Sequence, residues 1–538
     1  MKRILIGVSM MISLHMQAQK KDFIITAYGA KSDGVSNNQA AIQKAIDDAS
    51  AAGGGRVVVP RGRFYTAPLH FKSNVELYIH EEAVLLASTN RADYGPSLRA
   101  SAFLIADNAK NIAITGKGLI DGQSDLLIKD IYEKLRAGTL EDPEWKEYNA
   151  WHQRRPSERN RPKIITFINC DAVTIKNVHI QNGADWVQEY RACTNLIMDS
   201  VHVFSNTFIN NDGIDVVDCK KVRITNCNIN VADDGICLKS SDRKSRCEDV
   251  YVANCRVRSS ASALKLGTAS HGGFKNIGIK NIEIYDTYRS AIAIEAVDGG
   301  IVDNVDIRNV NAVNTGNAIF IRLGHRNKDS VISQLKNVYI GNVKVQVPEG
   351  KPDIGYPMDG PELPYAASYT KPSTSTTDPP MYDLAIDSNV VLPPHNVFPS
   401  SITGIPGHPV ENVTLENVEI VFAGNANKSN AYFATDTLTK VPEAIEGYPE
   451  FSAFGELPAW GVYMRHANGV TFKKVTLKYV KPDFRAAILT DDVKGLKLDA
   501  VRVAAYAELP VILLNNSPKP VFTNLLLPVD AKRAIKTQ

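Results

Sequence analysis

A short strand pattern that returns at near-regular intervals constrains this chain more than any other feature. CDAVTIKNVHI begins at Cys170, CTNLIMDSVHV at Cys193, CKKVRITNCNI at Cys219 and CEDVYVANCRV at Cys247. The frame continues at Phe274, Val302 and Leu335, and resumes at Val410 after an interruption. Contiguous steps run from 23 to 33 residues. Such a period marks repeats that bury their apolar faces against one another. Each unit holds two short strands of alternating apolar residues with an Asn or Asp at the corner. Asparagine suits these corners because it tolerates left-handed backbone and stacks in hydrogen-bonded ladders. β-Branched residues dominate and no helix fits in a unit, which separates the pattern from leucine-rich repeats. The fold expected is all-β, a single-stranded parallel β-helix.

A second set of strands falls in the same frame. Asp-Gly-Ile occurs at Asp212–Ile214 and again 22 residues later at Asp234–Ile236. ALKLGT from Ala263, AIAIEAV from Ala291 and AIFIRLG from Ala318 follow. In register, Asp212, Asp234, Ser262, Ser290 and Asn317 form one column. Asp215, Cys237, Lys265, Ala293 and Phe320 form another, and Val217, Lys239, Gly267, Glu295 and Arg322 a third. Alternation along a strand puts the second and third columns on one face and the intervening Val, Leu and Ile on the inward face, with the first column three residues earlier, where the chain enters that face. The shared face is therefore a charged stripe of Asp212, Asp215, Asp234, Lys239, Lys265, Glu295 and Arg322, with Asp233 at its edge.

The chain has 538 residues, 44% hydrophobic and 22% charged, and one solenoid can use all of it. A net charge of +3 gives no electrostatic reason to expect nucleic acid. Lys2 and Arg3 precede an apolar run from Ile4 to Met16, with Ala18 as a small residue for cleavage. The run is too short to span a bilayer, so residues 1–18 read as a signal peptide and the protein as periplasmic or secreted, with no membrane span. Seven cysteines lie between Cys170 and Cys255. Cys170, Cys193, Cys219 and Cys247 share one repeat position, and Cys227 and Cys255 another. Equivalent positions on adjacent rungs are about 4.8 Å apart, further than a disulfide prefers. A buried cysteine ladder is expected, and without a CxxC pair no metal site.

Ahead of the repeats, Asn37 and Asn38 can start a helix, and Ile42, Ala45, Ile46 and Ala49 follow at helical spacing. Gly53–Gly55 ends it, and Val57–Val59 reads as a strand closed by Pro60. The helix would cap the open end of the solenoid. The β-helix domain spans 22–538, with insertions at about 124–160, 348–409 and 424–460. The second holds 13 of the 27 prolines, and regular strands return at Gly469–Val480 and Val493–Ala507. Trp145, Trp151, His152 and arginines in the first could wall a cleft.

Glycosidic cleavage needs one carboxylic acid to protonate the leaving oxygen and a carboxylate acting across the sugar ring. Adjacent rungs bearing Asp212, Asp233 and Asp234 supply both, and close like charges raise the pKa of one member, as a general acid requires. Asp215, Asp218, Asp242 and Asp249 read as aspartates that cap turns between coils.

NNDGID (Asn210–Asp215) and ADDGICLKS (Ala232–Ser240) resemble motifs of glycoside hydrolase family 28, the polygalacturonases and their relatives. RPKIITFINCDAVTIKNVHIQNGADW (Arg161–Trp186) and YGAKSDGVSNNQAAIQKAID near the N-terminus resemble flanking segments of that family. The resemblance implies a right-handed β-helix and inverting hydrolysis, with Asp233 as general acid and Asp212 with Asp234 activating water. It also exposes departures. Ser262 stands where the family has the histidine of Gly-His-Gly. Ala293 and Glu295 stand where it has an Arg-x-Lys that grips a galacturonate carboxylate. Lys265 or Arg322 could replace that cation, or the sugar there is neutral, and His271 could reach the cleft. Lys239, Lys265, Glu295, Arg322 and His271 are thus the expected substrate-binding residues. The resemblance implies a monomeric hydrolase of pectic carbohydrate, exo-acting if the insertions close the cleft, with no cofactor. A polysaccharide lyase of the same shape, using Lys239 or Lys265, and a non-catalytic carbohydrate-binding solenoid are the alternatives.

Overall fold

The computed structural model describes residues 21–145, 155–358, 398–426, 438–455, 457–504, 510–528 and 531–537. The chain winds as a right-handed parallel β-helix, and every ladder joining its strands is parallel. Each regular coil has three strands. One coil comprises Ile165–Ile168, Asp171–Lys176 and His179–Gln181, and the next Gln188–Arg191, Thr194–Asp199 and His202–Ser205. The two strands read in each sequence unit are therefore two sides of a three-sided coil, and the Asp-Gly-Ile strands lie on the third.

Inward positions carry the repeat's aliphatic residues. Val173, Leu196, Val222 and Val250 fall in one column, and all are buried. At one corner Asn254, Asn281, Asn309, Asn342 and Asn417 have left-handed φ between 53° and 56°. Each side-chain amide donates to the preceding member's carbonyl oxygen, from Asn281 onward, at 2.8–3.1 Å. The ladder satisfies polar groups at the very place where the chain must turn.

The N-terminal helix runs Gln39–Ala51 and buries Ile42, Ala45, Ile46 and Ala49 against the first coil, as their spacing predicts. Its first turn is tied by Asn37, whose Oδ1 accepts from the Gln39 amide at 3.0 Å. A second helix, Ser124–Arg136, opens the first insertion and buries Leu127, Ile128, Ile131 and Leu135. Trp151, His152 and the Ser/Thr run of residues 371–380 lie outside the described residues, as do residues 1–18, expected to be a signal peptide. Strands return at Ala459–Lys473, earlier than expected, and continue through Thr476–Tyr479, Ala486–Lys494, Lys497–Asp499 and Arg502–Val503. Residues 438–457 fold back over the outer face of this region. Leu438, Val441, Phe451, Phe454 and Leu457 bury there with Tyr288, Ala293, Phe320 and Tyr463 as a second apolar core. Among the described residues no helix is long and apolar enough to cross a membrane.

The seven cysteines are free and buried. Their thiols reach backbone carbonyls of the neighbouring rung: Cys193 to Phe167 at 3.3 Å, Cys219 to Tyr190 at 3.1 Å, Cys247 to Val216 at 3.3 Å. Burial pushes the Cys247 thiol up to about 12. A thiol-specific reagent is therefore expected to label none of the seven in the native protein and all of them after denaturation. Rapid native labelling, or fewer than seven thiols in denaturant, would contradict the free ladder.

Candidate active site

The strands Ile214–Val217, Ile236–Ser240, Leu264–Ser270 and the ends of Gly273–Ala296 and Ile301–Leu323 pair in the register read from the sequence. Asp215 faces Cys237, Cys237 faces Lys265, Lys265 faces Ala293 and Ala293 faces Phe320. The glycines are required by this stacking. A Cβ on Gly213 would lie 2.6 Å from the Gly235 carbonyl oxygen, and one on Gly235 2.7 Å from that of Ala263. Asn211 fixes the turn before Asp212: its Oδ1 accepts from Ser205 and the Phe208 amide, and its Nδ2 donates to the Gly183 and Asp185 carbonyls.

Asp212, Asp233 and Asp234 line one cavity of about 330 Å³. Asp212 Oδ2 accepts from Lys239 Nζ at 2.8 Å, and the same ammonium donates to Asp215. Asp215 is thus part of the buried charge cluster rather than a turn cap, because Lys239 on the next rung reaches back between the two aspartates. Asp218 does cap a turn, accepting from Ser240 Oγ and from the amides of Ser241 and Asp242. Asp234 Oδ2 lies 2.9 Å from Lys265 Nζ, and its Oδ1 accepts from the Ser262 amide at 3.1 Å. At its carboxylate Asp233 accepts from two amide donors, the Asp234 N–H at 2.9 Å and Asn210 Nδ2 at 3.4 Å.

These environments push the carboxyls apart. Burial, then the Asp234 charge, raises Asp233 above the ordinary aspartate range. Burial also opposes ionisation of Asp234, but Lys265, Lys239 and Arg289 overcome it and hold Asp234 below that range. Burial and the Asp215 charge push Asp212 well up, against the pull of Lys239. Burial works against the charged form of Lys239, and Asp212 and Asp215 more than offset it. Asp212, Asp234 and Cys237 bring one donor atom each within 4.8 Å of one another. The two lysine ammoniums already serve those aspartates as counter-ions.

The remaining candidates divide. Lys239 and Lys265 line the cavity, whereas Glu295, Arg322 and His271 do not. Glu295 is buried, pushed up to about 7 by burial, and accepts from Thr268 Oγ1 at 2.9 Å. Arg322 lies under the 438–457 segment and donates to the carbonyls of Gly404, Glu443 and Ala444 at 3.0, 2.5 and 2.9 Å. It ties down that segment instead of meeting substrate, because the far half of the charged stripe is covered. His271 contributes its backbone amide to Ser240. Arg155, one of the first insertion's arginines expected to wall a cleft, lines the cavity, and residues not anticipated join it: Glu158, Trp186, Arg289, Arg326 and Tyr448. Lys239 lies 4.2 Å from the Trp186 ring centroid. Arg289 sits in the Asp233 column two rungs on, its amide bonded to the Ala261 carbonyl, so extending that column would have found it. Tyr448 comes from aperiodic chain and left no signal.

A parallel β-helix with clustered aspartates on one wall defines the class, a polysaccharide-active solenoid. A family model described as Glycosyl hydrolases family 28 matches residues 50–352. The chain belongs to that family and is a glycoside hydrolase. It is 22% identical to a probable polygalacturonase of Vitis vinifera, over 74% of this chain and 74% of that protein. It is 26% identical to the exo-poly-alpha-D-galacturonosidase of Dickeya chrysanthemi, over 51% of this chain and 52% of the other. The crystal structure of a hyperthermoactive exopolygalacturonase from Thermotoga maritima superposes with a TM-score of 0.54 at 21% identity, covering 75% of this chain and 87% of that one, and shares the fold.

Replacing Arg322 with Met strands three buried carbonyl partners. We expect a loss of about 2–4 kcal/mol in stability and faster amide exchange across residues 443–445. Unchanged melting and exchange would contradict the anchoring role.

Proposed function

We propose that the protein is an exported, inverting glycoside hydrolase acting on pectic carbohydrate, with Asp233 as general acid and Asp234, beside Asp212, as general base. The observation that carries this reading is the unequal pairing on one cavity wall: Asp234 is held by the Lys265 ammonium at 2.9 Å, while Asp233 accepts from two amide donors. An acid must keep its proton and a base must have lost it, and these two environments favour that division. In the reaction, the water oxygen bonds to the anomeric carbon as the glycosidic C–O bond breaks. The leaving oxygen takes the Asp233 proton, and the water proton passes to Asp234. The anomeric centre inverts, as expected when water is delivered directly.

The names of the relatives support a pectic substrate. The apolar run from Ile4 to Met16 behind Lys2 and Arg3 supports export. Closure supports exo action: the 438–457 segment sets Tyr448 at one side of the cavity and the 155–161 region sets Arg155 at another. The lyase alternative would need carboxylates free for a cation, and here Asp212 and Asp234 are held by lysines.

Asp233→Asn is expected to lower kcat by about 10²–10⁴-fold on pectic oligosaccharides, with proton NMR of the wild-type reaction showing the inverted anomer first. Retained anomer, or a mutant as active as wild type, would overturn the assignment. Lys265→Met removes the nearest cation from Asp234 and raises the pKa that must lie below the working pH. Its acid limb should therefore move to higher pH in a kcat/KM profile; an unmoved limb would separate Lys265 from the base.

A further inference from the structure

The cavity's cations differ from those of an open anion site in one respect. Each of the five on its lining is ion-paired with a carboxylate of the chain itself, Arg155 with Glu158 at 3.6 Å among them. Lys239 is 2.8 Å from Asp212 and Lys265 2.9 Å from Asp234. Arg326 holds Asp298 through two contacts at 2.9 and 2.8 Å. Arg289 Nε lies 3.0 Å from Glu450, and both side chains are about nine-tenths buried. Glu450 belongs to the excursion, not to the solenoid, so this last pair exists only because the 438–457 segment folds over the wall.

Arg155, the other cation on the lining among the described residues, comes from the first insertion and is tied to Asn210 and Glu158. Where an Arg-x-Lys would stand, Ala293 is sealed in the second apolar core and Glu295 is turned to Thr268. A uronate entering beside Lys265 would meet the Asp234 carboxylate already paired with that ammonium at 2.9 Å. It would also have to displace a buried partner carboxylate, and separating such a pair leaves a charge uncompensated away from water. A neutral ring meets none of these costs. Tyr448, partly exposed to the cavity with its hydroxyl 3.2 Å from Lys265 Nζ, offers an aromatic face against which the C–H side of such a ring can lie.

We propose that the sugar ring seated against Lys265, Arg289 and Tyr448 is neutral, and that Glu450 enforces this by holding the Arg289 guanidinium that would otherwise take a carboxylate. The proposal rests on the hydrolase reading above and names the substrate class of one subsite within it. Specificity of this kind is repulsive in origin: the acid is refused because the chain's own carboxylate is already in its place.

The test uses three disaccharides of identical linkage: α-linked digalacturonate, and the two isomers in which one ring's carboxylate has been reduced to hydroxymethyl. Wild-type protein should cleave the isomer whose neutral ring fills this subsite with a kcat/KM about tenfold or more above that of the diacid. Glu450→Gln removes the carboxylate that faces Arg289 and should move this ratio toward the diacid by a similar factor, while Glu450→Asp should keep the wild-type order. A diacid preferred over both reduced isomers by wild type would overturn the neutral subsite and leave the hydrolase reading intact. So would a Glu450→Gln protein of unchanged preference that melts like wild type. If no disaccharide is cleaved, the pectic hydrolase reading falls. Calorimetric binding to the Asp233→Asn protein then judges the subsite alone: tighter binding of a reduced isomer supports it, while tighter binding of the diacid, or binding of none, overturns it. Should Glu450→Gln fail to fold, the same three-way comparison on wild type still decides.

Discussion

Parallel stacking holds successive rungs about 4.8 Å apart, and the rest of the structure follows from that spacing. Side chains at equivalent positions are forced into contact whether or not they suit one another. Aliphatic columns become the core, asparagines become a ladder, and cysteines become a row of free thiols tied to neighbouring carbonyls. On the third side, the same constraint brings aspartates from adjacent rungs together where their charges would repel. Lysines from the following rungs make that tolerable. Lys239 reaches back to Asp212 and Asp215, and Lys265 to Asp234. Asp233, one residue outside the columns, has amide donors rather than a lysine at hydrogen-bond distance among the described residues, and burial with the Asp234 charge keeps its pKa raised against the pull of Arg289, Lys265 and Lys239. Under the roles proposed above, one residue along the chain changes which rung's lysine is in reach.

The excursions convert an open wall into a bounded cavity. A solenoid side is flat by construction, and flatness gives little discrimination among sugars. The 438–457 segment changes this by burying its own apolar side chains on the outer face. It is pinned where Arg322 and Arg465 meet its backbone carbonyls, and Arg465 and His466 meet the Glu443 carboxylate. It then delivers Tyr448 and Glu450 beside the aspartates. The same segment covers Ala293 and Arg322, and Glu295 is buried against Thr268.

Much of this was legible in the sequence because it was periodic. The alignment of Ile214, Ile236, Leu264, Ile292 and Ile319 holds residue for residue, and with it the positions of Asp212, Asp233, Asp234, Lys239 and Lys265. The buried face of the N-terminal helix also followed from spacing. What escaped lay outside the period. Leu127, Ile128, Ile131 and Leu135 carry helical spacing, yet they sit in a stretch read as one insertion. Glu295 and Arg322 belong to the right face, but a column says which way a side chain points and not what will cover it. Asp215 resembled a turn cap because its partner, Lys239, is distant by 24 residues and near only through the coil.

The proposed mechanism requires Asp233 protonated and Asp234 ionised at the pH of maximal activity, with Lys239 and Lys265 both fully charged. Neutron diffraction from a deuterium-exchanged crystal reads this directly. The expected nuclear density shows deuterium on an Asp233 carboxyl oxygen, none on Asp234, and three on each lysine Nζ. Deuterium on Asp234 with a bare Asp233 would reverse the roles, and a neutral lysine at either position would remove the basis of the division.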